Sequence, residues 1–219
     1  MIRALVLDFD GVILDTESAI ILAAGELHRE HGIAFDREQW LGAVGTTGIA
    51  ADPWAAFDAR HDRAELDRAH VRLYTEYFAR LPVLPGVMSW LDSADKLRLP
   101  VGLASNSTRP YIAEHLDRLR LLERFSCVRC RDDVTAPKPA PELYLQVLQQ
   151  LGVSGSEAIA VEDSQVGTLA ARLAGLHVVA VPNHSTGGHD LSAAHLQLAS
   201  LAEQSLPAVI AHFDTPPQA

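Results

Sequence analysis

Basic charge is scarce in this chain. Its 219 residues carry 18 Lys and Arg against 28 Asp and Glu, a formal net charge of −10. That balance argues against nucleic acid as a partner. Cysteine is scarcer still: Cys127 and Cys130 are the only two, too few for a disulfide framework. Their C-x-x-C spacing has no second ligand pair nearby and falls in an expected strand, so buried free thiols are expected rather than a metal or redox pair. Free thiols suit a reducing compartment, and the cytoplasm is the expected location. No apolar run reaches the ~20 residues that cross a bilayer, and the N-terminus enters a strand directly, unlike a signal peptide. There is no G-x-x-x-x-G-K-[ST] phosphate loop. Gly42, Gly45 and Gly48 do not follow a strand and read as a turn facing a cleft. His184, His189 and His195 lack metal-ligand spacing and are expected at the surface.

What is present begins at residue 3. Arg3-Ala4-Leu5-Val6-Leu7 reads as a buried parallel strand, and it runs straight into Asp8-Phe9-Asp10-Gly11. Two residues apart on extended chain, the carboxylates of Asp8 and Asp10 share one side. Gly11 allows a sharp turn out of the sheet. Such a pair is costly to bury unless a cation sits between them or one holds a proton. From these residues alone, an ordinary acidic turn after a strand is the other reading.

Beyond residue 82 strand and helix patterns alternate. Helices are predicted over Val87–Leu97, Tyr111–Leu121, Glu142–Leu151 and Gln165–Ala174, each with apolar spacings of three and four. Apolar runs near 99–104, 125–130, 158–162 and 177–181 lie between them. Repeated βα units imply an α/β fold, a Rossmann-like parallel sheet with helices on both faces. Residues 15–81 break the rhythm and contain no convincing strand. Ile20, Ile21, Ala24, Leu27 and His28 stripe one helix there, and Leu66, Ala69, Leu73, Tyr77 and Leu81 another. Asp36 with Gln39 resembles a helix cap. This block, 15–81, is read as an inserted α-helical cap on a core formed by 1–14 and 82–219. Pro82, Pro85 and Gly86 make its return a stiff hinge. Residues 214–219 are expected to be a disordered tail.

Sites in doubly wound sheets form beyond the carboxyl ends of the strands. There the chain presents Asp8 and Asp10, then Ser105, then Lys138, then Glu162 and Asp163. The stretches Asp8-Phe9-Asp10-Gly11-Val12-Ile13-Leu14-Asp15-Thr16-Glu17, Ala104-Ser105-Asn106-Ser107, Lys138-Pro139-Ala140-Pro141-Glu142 and Glu162-Asp163-Ser164 come in that order. Together they resemble the four motifs of the haloacid dehalogenase-like hydrolase superfamily, over nearly the whole chain. The branch it looks most like carries a helical cap after the first motif and holds sugar phosphatases and β-phosphoglucomutase.

The resemblance implies an aspartyl-phosphate enzyme. Asp8 would be the nucleophile, and Asp10 the acid for the leaving alcohol and then the base for water. Ser105 and Asn106 would donate hydrogen bonds to the phosphoryl oxygens, and Lys138 would neutralise charge. Mg²⁺ is the expected cofactor. It would be held by Asp8, the backbone carbonyl of Asp10, and Asp163, with Glu162 beside them, all hard oxygen donors. Thr16, Thr46, Thr47, His70 and Arg72 are candidates for substrate contacts. The expected partner is a small phosphorylated metabolite, a sugar or polyol phosphate, met by a monomer that binds neither nucleic acid nor membrane.

A phosphosugar mutase is the alternative. Thr16 fits it, but the mutases carry a histidine where this chain has Ile20, and a cap lysine that the 15–81 block lacks. A dehalogenase is disfavoured by Asp10, and a phosphonate hydrolase by the missing cap lysine. A non-catalytic binding protein is disfavoured by retention of the whole constellation.

Overall fold

A computed structural model describes residues 1–41 and 52–215. Thr46, Thr47 and the glycines at 42–48 lie outside the described residues, as do the side chain of Gln39 and residues 216–219. The apolar runs form strands β1 (Ala4–Leu7), β2 (Val101–Ala104), β3 (Cys127–Arg129), β4 (Ala158–Glu162) and β5 (His177–Ala180), with a short β6 (Leu196–Gln197). They make one sheet in the order β3-β2-β1-β4-β5-β6. Every pairing is parallel. Strands are added outward from β1 on one side and from β4 on the other, which sets a switch point between the ends of β1 and β4.

The α-helices of the described residues are α1 (Thr16–Glu30), α2 (Arg37–Leu41), α3 (Arg63–Phe78), α4 (Val87–Leu97), α5 (Arg109–Arg118), α6 (Glu142–Leu151), α7 (Gln165–Leu173) and α8 (Leu206–Asp214). Strand alternation divides the core in two. Leu5, Leu7, Leu103, Ile159 and Val161 pack with Trp90, Leu116 and Val209 from α4, α5 and α8. Ala4, Val6, Ala104, Ala158 and Ala160 pack with Leu143, Val147 and Ala171 from α6 and α7. The expected Rossmann-like α/β architecture, with helices on both faces, is therefore what the residues build.

Among the described residues no strand lies between β1 and α4. Ile21, Ala24, Leu27, Trp40, Trp54, Phe57 and Leu66 form a third apolar cluster of their own. Asp15 caps α1 by accepting from Ser18 N at 3.2 Å, and Asp62 caps α3 by accepting from Ala64 N. Asp36 immediately precedes α2. No helix among the described residues is long and apolar enough to cross a membrane.

Three details differ from the sequence reading. Helix α5 starts two residues early, at Arg109, and stops at Arg118, before Arg120 turns to φ 56°. Helix α8 was not anticipated, although Ser205 caps it and Pro207 occupies its first turn. Asp214 is consequently no tail residue: it ends α8 and accepts from Ile2 N at 2.9 Å. Cys127 and Cys130 are buried and free, as expected, and burial pushes the Cys130 thiol up to about 11.

Candidate active site

The alternation that builds the core also aims the polar residues. Asp8 continues the face of Ala4 and Val6, and Glu162 that of Ala158 and Ala160, so both carboxylates turn toward α6. Lys138 arrives from the loop before α6 and fills the space between them. Its Nζ donates to Asp8 Oδ1 at 2.6 Å, to Glu162 Oε1 at 2.6 Å and to the carbonyl of Ala104 at 2.8 Å. All three ammonium donors are thereby engaged. The lysine is 3% exposed, Asp8 7% and Glu162 0%, so the triad works at low dielectric. Tyr144, on α6, donates its hydroxyl to Glu162 from behind.

The loop that delivers Lys138 is itself pinned. The Asn106 side chain accepts from Lys138 N at 2.9 Å and donates to Lys138 O at 3.2 Å. Glu142 takes the amides of Thr135 and Ala136 onto its carboxylate. The Asn106 amide therefore orients the lysine, while Ser105 Oγ accepts from Ser107 N at 3.0 Å.

Asp163 follows Glu162 and turns toward the opposite wall. It is 2% exposed, and its Oδ2 accepts from Asn183 Nδ2 at 2.8 Å. Two glycines make room for these acids. A Cβ on Gly11, whose φ is 77°, would lie 1.9 Å from Asp163 Oδ2. A Cβ on Gly167 would lie 1.9 Å from Glu162 Oε2. Ser164 then caps α7, accepting from Gly167 N at 3.2 Å.

Charge at this end of the sheet does not balance. Asp8, Glu162 and Asp163 each offer a carboxylate oxygen within 4.8 Å of the others, against the single ammonium of Lys138. Burial, opposed by Lys138 and reinforced by Glu162 and Asp10, pushes Asp8 up to about 8. Burial, then the charges of Glu17 and Asp8, holds Asp163 well above the carboxylate range. Burial pulls the Lys138 ammonium down, but Asp8 and Glu162 outweigh it and keep the group charged. Hard oxygen donors two positive charges short are the donor set that a small divalent cation fits.

Asp10 is half-buried and looks away from Lys138. Thr16 Oγ1 donates to its Oδ1 at 2.7 Å, Tyr111 OH to the same oxygen at 3.0 Å, and Ser107 Oγ to Oδ2 at 2.6 Å. The tight loop after β1, in which Gly11 N donates to Leu14 O, brings Thr16 back over Asp10.

A cavity of about 550 Å³ opens over these groups. Asp8, Asp10, Ser105, Asn106, Lys138 and Asp163 lie in its floor and sides, with Thr16, while Ile20, Tyr74 and Phe78 enter from α1 and α3. Glu162 is not in the wall. Neither is Arg72, which is exposed on α3. His70 is buried, with its ring Nε2 2.8 Å from Ile20 O, so it holds α3 to α1 rather than reaching the cavity.

Sequence reasoning gave no role to Ser107, Tyr111, Tyr144, Glu17 or Asn183. Ser107 and Glu17 stood inside quoted motifs. Tyr111 lies in the first turn of the helix that leaves the second motif, and Tyr144 lies beside the apolar stripe of α6. Asn183 had no local signal, since it is brought in by the loop after β5.

Glu17 yields a testable consequence. It lines the cavity with an unpartnered buried Oε2, and burial, then the charges of Asp10 and Asp15, pushes it up to about 7. A raised folded value means stability is present below the unfolded value and lost as pH rises through 7. Glu17→Gln is expected to match wild type near pH 4. At pH 8, in chelator, it is expected to be more stable by about 1–3 kcal/mol in urea unfolding.

Fold and site together define an α/β protein with a buried aspartate held by a lysine at the end of a central strand. Residues 5–181 match the family model described as haloacid dehalogenase-like hydrolase. YhcW of Bacillus subtilis is 35% identical, covering 98% of this chain and 99% of its own. Validoxylamine A 7'-phosphate phosphatase of Streptomyces hygroscopicus subsp. limoneus is 32% identical, covering 94% and 98%. A crystal structure of CbbY from Rhodobacter sphaeroides in complex with xylulose-(1,5)-bisphosphate superposes with a TM-score of 0.72 at 27% identity, covering 93% and 96%. The chain belongs to the haloacid dehalogenase-like hydrolases, and it is an enzyme of the phosphoric monoester hydrolase class.

Proposed function

We propose that this enzyme is a Mg²⁺-dependent phosphatase of a small phosphorylated metabolite, a sugar or polyol phosphate, working through a phosphoryl group carried on Asp8. The observation that carries the reading is the buried Asp8–Lys138–Glu162 triad, with Asp163 alongside and Asp10 across the cavity. A carboxylate oxygen of Asp8 attacks phosphorus, the ester P–O bond breaks, and Asp10 gives its proton to the departing alkoxide oxygen. Water then attacks the phosphorus and returns a proton to Asp10, and free phosphate leaves with Asp8 restored. Ser105 and the backbone at Asn106 face the phosphoryl oxygens, and Lys138 keeps Asp8 aimed and neutralised. Mg²⁺ held by Asp8, the Asp10 carbonyl and Asp163, with Glu162 behind, would neutralise phosphoryl charge when bound.

Residues 15–81 act in this proposal as a cap over a core of 1–14 and 82–219, closing to exclude bulk water. Tyr74, Phe78 and Ile20 supply its face toward the cavity. Thr16, a candidate substrate contact in the cavity lining, also donates to Asp10. Substrate contacts by Thr46, Thr47 and Arg72 stay part of the proposal. The relatives named as a phosphatase of validoxylamine A 7'-phosphate and seen in complex with xylulose-(1,5)-bisphosphate support the substrate class.

The test is phosphate release from a panel of sugar, polyol and glycolytic phosphates, with Mg²⁺ and with chelator. Release from a few esters is expected, falling at least ~100-fold in chelator and recovering on metal return, as loss of a group that neutralises transferring phosphate requires. Conversion of β-glucose 1-phosphate to glucose 6-phosphate without net phosphate release would replace this reading with the mutase one.

A further inference from the structure

Asp10 takes three hydroxyl donors from three separate stretches of chain: Thr16 at the start of α1, Ser107 after β2 and Tyr111 in the first turn of α5. A carboxylate offers about four lone-pair sites, two on each oxygen. Thr16 and Tyr111 occupy both sites of Oδ1, and Ser107 occupies one of Oδ2. One site on Oδ2 is left, and with the other three committed the side chain cannot rotate without breaking a bond.

The phenol cannot move off either. Its ring meets Phe9 edge-on at 6.1 Å, Phe78 at 6.0 Å and His115 at 4.5 Å between centroids. Phe78 comes from α3, Phe9 from the chain just after β1, and His115 from the next turn of α5. Tyr111 is thus wedged between the inserted helices and the core, with its hydroxyl as the only polar atom, directed at Asp10.

We infer that Tyr111, assisted by Ser107, is a positioning residue that closes Oδ1 of Asp10 and leaves the free site of Oδ2 to serve the leaving-group oxygen. The inference rests on the phosphatase reading above and adds the group that orients its acid. Tyr111 itself touches Asp10, and no contact of it with a phosphoryl group is needed.

Misorientation of the acid should hurt esters in proportion to their need for a proton. The experiment measures kcat/KM for a series of phosphate esters, from para-nitrophenyl phosphate to the best alkyl phosphate of the panel, for wild type, Tyr111→Phe and Ser107→Ala. The quantity kcat/KM reports steps through departure of the alcohol. The later attack by water, common to every ester, is excluded. Tyr111→Phe keeps the ring and its packing, and melting curves identify any variant that does not fold.

Tyr111→Phe is expected to lower kcat/KM ~10- to 100-fold on the alkyl ester and less than ~3-fold on the para-nitrophenyl ester, a fraction of what general acid catalysis contributes. Ser107→Ala should tilt the series in the same direction. Equal losses across the series, or none, would overturn the inference while leaving the phosphatase reading intact. A wild type inert toward every ester would overturn the phosphatase reading, and this one with it.

Discussion

Asp8→Asn is expected to abolish phosphate release, by at least ~10⁴-fold in kcat, while leaving the protein folded. An amide nitrogen or oxygen at that position cannot accept the phosphoryl group as a stable ester, and no other carboxylate can take over. Glu162 is closed off behind Lys138 and Tyr144, Asp163 is tied to Asn183 on the opposite wall, and Asp10 is held by its three hydroxyl partners. Stability should move the other way. Asp8 is pushed up to about 8 because burial and the neighbouring carboxylates disfavour its charge. The neutral amide removes a charge from a site that has too many of one sign. Without metal and near pH 8, the variant should melt no lower than wild type. Near pH 5, where the wild-type carboxyl already holds its proton, the two should converge. A phosphate-release assay and a melting curve at two pH values check both halves. Residual turnover at a tenth of wild type would remove Asp8 from the nucleophile's role.

Much of this fold could be read from residues alone, because parallel strands buried on both faces leave continuous apolar runs and their helices leave stripes. Leu5, Leu7, Ile159 and Val161 declared themselves in that way. Helix α8 did not, since the segment before it, with the two-residue strand β6, carries no clear period. The site was legible where function forces charge into an apolar context. Asp8, Lys138, Glu162 and Asp163 are conspicuous because burying them is costly without one another. Tyr111 and Tyr144 were silent for the opposite reason. An aromatic ring in a helix stripe is what a core contains anyway, and only the geometry shows that each hydroxyl ends on a carboxylate. Asn106 shows a third case: the residue was noticed, but its side chain grips the backbone of Lys138, a pairing across 32 positions that no local pattern encodes.

Lys138→Met should be the most damaging single substitution for stability as well as activity. Methionine fills much of the same volume, so the loss is electrostatic rather than a cavity. Removing the ammonium leaves Asp8 and Glu162 facing each other in a site where they are 7% and 0% exposed. It also strips the carbonyl of Ala104 of its donor. Breaking a buried pair by deleting one partner costs about 3–5 kcal/mol, and two carboxylates are orphaned here. The deficit must depend on pH. The orphaned carboxylates escape repulsion by holding protons, and Asp8, already pushed up to about 8, is raised further above its unfolded value. Stability of the variant is then retained at low pH and lost as pH rises. Urea unfolding in chelator should therefore show a loss of about 3–5 kcal/mol at pH 8 that shrinks toward pH 5. Mg²⁺ at neutral pH should restore part of the stability by linkage, since a divalent cation supplies the charge that the lysine no longer provides. It should not restore turnover, because Asp8 loses the hydrogen bond that fixes its aim. A variant equally stable at both pH values would mean that the triad is already neutral in the folded protein, and that Lys138 holds its place by packing rather than by charge.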